Sequence, residues 1–70
     1  MSASELANHL KELRARHNLT QAELAARVGV TRKTINTIEN RVFVPSALLA
    51  LKIAAALDVT VEDVFTLEAD

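Results

Sequence analysis

No cysteine occurs in the chain, which excludes a disulfide framework, a thiolate metal site and a cysteine nucleophile. Aromatic residues are nearly as scarce: there is no Trp or Tyr, and Phe43 and Phe65 stand alone. A core must therefore be assembled from Leu, Ile, Val and Ala. Gly29 is the one glycine and Pro45 the one proline, so no glycine-rich loop is available to cradle a nucleotide phosphate. No apolar run approaches the ~20 residues that a membrane-spanning helix needs. The N-terminal stretch MSASELANHLKELR interrupts its apolar positions with Glu5, His9, Lys11 and Glu12, so it reads as neither signal peptide nor membrane span. The expectation is a cytoplasmic protein with no membrane partner.

What is present favours helix. Half of the 70 residues are apolar, and Ala, Leu, Glu and Arg are abundant. A chain of this size buries only ~60% of the surface its unfolded form exposes. No repeat, low-complexity tract or linker divides it, so one domain is expected over residues 1–70. The formal net charge of −1 conceals an asymmetry: residues 1–57 hold all eight Lys and Arg against Glu5, Glu12, Glu23 and Glu39, while residues 58–70 hold Asp58, Glu62, Asp63, Glu68 and Asp70 with no base. A locally basic face attracts phosphate whatever the sum.

The spacing of Leu6, Leu10 and Leu13 predicts a first helix from a cap at Ser4 to about His17. Thr20 and Glu23 form a T-x-x-E capping box, preceded by Leu19 as a hydrophobic staple, and open a second helix with Leu24, Ala25 and Val28 inward. Gly29 follows where a helix end favours a left-handed residue. Thr31, with Val30 before it, caps a third helix that buries Ile35 and Ile38 and sets Arg32, Lys33, Thr34, Asn36 and Thr37 on its polar face. Thr34 and Thr37 are poor interior helix formers, so stability alone does not account for this segment. Residues 20–40 thus read as a helix-turn-helix. From Arg41 to Pro45 the chain connects, with Phe43 expected to plug the core. Ser46 caps a fourth helix, about residues 47–57, with Leu49, Ile53, Ala54 and Leu57 inward and Ala50 and Leu51 flanking. Thr60 opens a short fifth, VEDVF, in which Glu62 and Asp63 suit the first turn, and fraying is expected beyond Phe65.

The string LTQAELAARVGVTRKTINTIEN, followed by PSALLALKIAAALDVTVEDVF, resembles the helix-turn-helix family of phage Cro and repressor proteins and their bacterial regulators, often called the XRE family. The resemblance runs from about Leu6 to Phe65. It implies an all-α, compact, five-helix lambda-repressor-like DNA-binding domain, not an enzyme. It further implies a sequence-specific regulator, in the simplest case a repressor, whose partner is a double-stranded DNA operator. Gln21 matches a glutamine that holds a DNA phosphate. Arg32, Lys33 and Thr37 match positions that touch base edges, and Thr34 and Asn36 match positions that contact bases or backbone. Asn40 matches a position near the phosphate backbone, and Thr31 and Arg41 join this phosphate set. Arg14 and Glu39 match an ion pair that ties the first helix to the end of the third. Where the family has Asn-Gly and Leu-Gly, this chain has Asn40-Arg41 and Leu57-Asp58. A left-handed turn at a non-glycine residue costs roughly 1 to 2 kcal/mol, so the strain falls at Arg41 or moves to Asn40.

Other features have plainer readings. Arg27 and Lys52 are candidate backbone contacts or solvated charges, and His9 and His17 lack the spacing of a metal site. No cofactor, metal or small-molecule ligand is implied. Leu48, where relatives often carry a polar residue, and Leu67 suggest the surface of a homodimer formed through the fourth and fifth helices, because one recognition helix has limited affinity. The alternative from another class is an antitoxin-like or adaptor module that engages a protein through the acidic C-terminus and these leucines.

Overall fold

Four of the five helices begin where the sequence supplies a hydroxyl. Thr20, Thr31, Ser46 and Thr60, all in extended conformation, accept hydrogen bonds from the backbone amides of Glu23, Thr34, Leu49 and Asp63, which satisfies donors that a helix start leaves unpaired. In the computed structural model, which describes residues 5–68, these caps open α2 (Gln21–Val28), α3 (Arg32–Glu39), α4 (Ala47–Ala56) and α5 (Val61–Val64). Thr20 with Glu23 and Thr60 with Asp63 close complete capping boxes. Their hydrogen bonds from the Thr20 and Thr60 backbone, then from the hydroxyls, hold both carboxyls below the usual carboxylate range.

The first helix departs from expectation. α1 spans only Leu10–Arg16, and Leu6–Asn8 form a strand, β1; the expected cap at Ser4 lies outside the described residues. Asn8 accounts for the late start, because its Oδ1 accepts from the Leu10 amide at 3.1 Å, a local turn that competes with helix. Its Nδ2 donates to the Ile38 carbonyl at 3.0 Å, tying the strand to the last turn of α3. The fraying expected after Phe65 is also corrected. Phe65 turns extended and begins β2 (Phe65–Leu67), which pairs antiparallel with β1 in the register Leu6 to Leu67, Ala7 to Thr66 and Asn8 to Phe65. The architecture is therefore five helices with a small sheet that joins the two ends of the described chain.

The helix ends share one device. Asn18, Gly29, Arg41 and Asp58 follow α1, α2, α3 and α4 in left-handed conformation, with φ of 55°, 80°, 61° and 56°. The amide of the next residue, Leu19, Val30, Val42 or Val59, donates to the carbonyl of Arg14, Ala25, Thr37 or Ala54, the six-to-one bond of a Schellman closure. Only one of the four positions is glycine. Strain therefore sits at Arg41 and not at Asn40, whose φ is −88°.

Leu10, Leu24, Ile35, Ile38, Ile53, Leu57 and Val64 are fully buried where α2 packs on α3 and α4, and α4 on α5. Each contributes ~1.5–3 kcal/mol of burial. Phe43 does not join them. The amides of both Val42 and Phe43 donate to the Thr37 carbonyl, at 2.9 and 3.2 Å, which folds this loop over the end of α3 and leaves Phe43 45% exposed. Leu49 is half-buried, Ala50 buried, and Leu48, Leu51 and Leu67 exposed.

Candidate nucleic-acid interface

α3 turns Ile35 and Ile38 into the core, and on a 100° helical step this places Lys33, Asn36, Thr37 and Asn40 along the opposite, solvent-facing side. The capped start of α2, the left-handed turn at Gly29 and the capped start of α3 set this face at a fixed angle to the core. No side-chain atom adds to the preference for glycine at position 29, since a Cβ there would meet nothing within 4 Å; the positive φ alone favours it.

One polar network holds the face from behind. Arg14 grips Glu39 with two hydrogen bonds, Nε to Oε2 at 2.7 Å and Nη2 to Oε1 at 3.3 Å, while Nη1 donates to the Leu19 carbonyl at 2.8 Å. The side chains of Arg14 and Glu39 are only 16% and 5% exposed, so this is a sheltered, bidentate pair. Gln21 Nε2 adds a third bond to Glu39, at 3.0 Å, and one to Asn36 Oδ1 at 3.2 Å. Arg32 donates to Gln21 Oε1 at 3.3 Å, and Asn40 Nδ2 to Asn36 Oδ1 at 3.2 Å. Among the described residues no buried side-chain nitrogen or oxygen lacks a partner.

The network decides which atoms face outward. Asn36 has its Oδ1 engaged twice, so its amide nitrogen is the end left for a ligand. Thr37 donates its hydroxyl to the Thr34 carbonyl at 2.9 Å, leaving lone pairs and a methyl group. Thr31 and Thr34 share a hydroxyl contact at 3.1 Å, and Lys33 is exposed on the same side. Gln21 and Arg32 sit together at the α2 edge of this face, Asn40 at its end. Arg41 stands apart from the other residues expected to meet phosphate. Its guanidinium folds back on Glu68, at 2.6 and 3.2 Å, and on Glu5 at 3.1 Å. Hydrogen bonding to Arg41 holds the Glu68 carboxyl below its ordinary range, and the same bond pushes the arginine up. Sequence reasoning missed the Gln21–Asn36–Glu39 junction and the acid clamp on Arg41; neither has a local sequence signal.

A capped helix pair joined by a left-handed turn, whose second member buries one stripe and presents polar side chains on the other, has the geometry of a helix-turn-helix. Residues 10–64 match the family model described as Helix-turn-helix, and the chain belongs to this family, the XRE-type helix-turn-helix transcriptional regulators. It is 54% identical over 61 residues to the HTH-type transcriptional regulator YgzD of Bacillus subtilis, itself uncharacterised, spanning 87% of this chain and 92% of that protein. The fold matches the restriction-modification controller protein C.AhdI of Aeromonas hydrophila at TM-score 0.74 and 33% identity, covering 77% of this chain and 78% of that one. It also matches SinR, the master regulator for biofilm formation, in complex with DNA, at TM-score 0.71 and 31% identity over 76% and 86% of the two chains. The family comprises DNA-binding transcriptional regulators, not enzymes. Among the described residues no helix is long and apolar enough to cross a membrane.

Proposed function

We propose that the chain is a sequence-specific, cytoplasmic repressor that occupies an operator with α3 in the major groove, which at ~12 Å admits one helix. The observation that carries this reading is the solvent-facing line of Lys33, Asn36, Thr37 and Asn40 on a helix locked by the Arg14–Glu39–Gln21 network. Lys33 and Arg32 donate to guanine O6 and N7, and Asn36 offers its amide nitrogen to a base acceptor. Thr34 and Thr37 lie against base edges or thymine methyl groups. Thr31, Gln21 and Asn40 meet phosphates, fixing register without reading sequence; Gln21 and Asn40 do so by releasing amide hydrogens that Glu39 and Asn36 hold in the free protein. Arg41 joins them only by exchanging the carboxylates of Glu68 and Glu5 for phosphate. One domain of this size pairs through α4 and α5, where Leu48 is exposed and Leu51 joins Ala50, Ala54, Val59 and Val61 in lining a shallow apolar surface; Leu67, expected at the same surface, lies exposed on β2 instead. The homodimer spans half-sites ~34 Å apart. The solved DNA complex of SinR supports the DNA reading.

Selection of bound sites from a random DNA pool tests the whole reading. An inverted repeat with half-sites one helical turn apart is expected, with affinity falling steeply as salt rises. Binding that is absent at low salt would discard the operator reading in favour of the adaptor; a single half-site bound by a monomer would discard the dimer.

A further inference from the structure

The four Schellman closures invite a comparison. In each, the residue after the left-handed position is apolar: Leu19, Val30, Val42 and Val59. Such a residue ordinarily packs back on the last turn of its own helix. Leu19 is buried, and Val30 and Val59 lie against the core. Val42 has the same backbone, its amide fixed to the Thr37 carbonyl at 2.9 Å, yet its side chain stands 77% exposed. A single exposed valine is commonplace. This one has company, because Val42 lines a surface groove with Lys33, Thr34, Thr37 and the half-exposed Phe43. Two walls of that groove, Lys33 and Thr37, belong to the face read above as the DNA contact. Thr37, with its hydroxyl proton held by the Thr34 carbonyl, contributes a methyl group there.

We infer that Val42 is a DNA-contacting residue, extending the reading face past the end of α3 with an apolar contact to the DNA, either a thymine methyl or the face of a deoxyribose. The inference rests on the DNA reading of α3. It follows from continuity: when Lys33 and Thr37 approach base edges, the groove they share with Val42 closes on the same strand, and water leaves the valine. Such a contact adds affinity without displacing counterions, so it differs in signature from every charged contact on the face.

The test uses the full chain and the site recovered from the random pool, with Val42→Ala, Val42→Thr and Lys33→Ala variants. Because Val42 is exposed, the variants retain the wild-type melting temperature. Val42→Ala is expected to weaken binding about fivefold with no change in salt dependence. Val42→Thr, which keeps the shape and adds a hydroxyl, is expected to weaken it comparably. Lys33→Ala, which removes a charged base contact, is expected to relax specificity at one base position. Replacing thymine by uracil separates the two sources. If the methyl is the contact, the replacement weakens the wild type and abolishes the effect of Val42→Ala; if the sugar is, the variant loses the same factor on both DNAs. Affinity unchanged by Val42→Ala on both DNAs overturns the inference and leaves the DNA reading intact. A variant that alters self-association in light scattering instead assigns Val42 to a contact between copies. Absence of any salt-dependent binding by the wild type overturns both.

Discussion

Removing one partner of the Arg14–Glu39 pair should cost far more than removing both. Glu39 is 5% exposed and accepts three hydrogen bonds, two from Arg14 and one from Gln21. In Arg14→Met it keeps only the Gln21 bond and no counter-charge. Stranding one member of a buried pair costs about 3–5 kcal/mol; because Arg14 is 16% exposed, the lower end, about 3 kcal/mol, is expected. In Glu39→Leu the guanidinium keeps the Leu19 carbonyl and has water in reach, so the cost is smaller, about 2 kcal/mol. The double variant strands no charge and should lie within about 1 kcal/mol of wild type. Total stability for 70 residues is only about 4–10 kcal/mol, so either single change removes a large share of it. Urea unfolding at neutral pH, followed by circular dichroism, measures all four proteins, with m-values checked for constancy. Costs that simply add in the double variant would refute the argument that the pair acts as a unit. Exchanging the two charges is a poorer test, because a carboxylate at position 14 would face the Leu19 carbonyl.

Glycine at the left-handed positions should stabilise. Asp58→Gly is expected to raise the melting temperature by about 4–8 °C per kcal/mol of relieved strain, ~1 kcal/mol here. Arg41→Gly should raise it too, since the lost contacts to Glu5 and Glu68 are surface pairs of little worth, while weakening DNA binding; a lower melting temperature would reject the strain argument. Glu23, Asp63 and Glu68 all have carboxyls held low by hydrogen bonds. Their stabilisation is therefore complete above the ordinary carboxylate range and lost as pH falls below that range through the lowered folded-state values. Melting temperature followed from pH 7 to about pH 3 should fall less for Glu23→Gln than for wild type; parallel curves would remove the Glu23 capping bond from the account.

The helix starts were legible because capping is local: a hydroxyl, then a backbone amide three residues on, is visible at Thr20, Thr31, Ser46 and Thr60. So were the buried stripes of α2 and α3, which repeat at helical spacing. The strands were not, since Leu6 at i and Leu10 at i+4 fit a helix as well as a strand followed by one, and only Asn8 marks the break. Phe43 was misplaced because an aromatic in an apolar loop usually goes inward, whereas two amides bonding the Thr37 carbonyl fold this loop over the end of α3 and leave the ring half-exposed. The Arg14–Glu39 pair was reached through family resemblance and not through any local signal. The acid clamp on Arg41 joins residues 27 and 36 positions apart, a separation at which sequence pattern says nothing about contact.

The two-stranded sheet also bears on how this chain assembles. Pairing Leu6 with Leu67 closes a loop containing nearly every other described residue, whereas the capped helices and their Schellman ends are built from neighbours. Loop-closure entropy makes the pairing late in folding, and a sheet of three-residue strands is too short to stand without the helices behind it. The sheet also depends on α3, whose Ile38 carbonyl accepts from Asn8, so loosening the last turn of α3 takes away one of its supports.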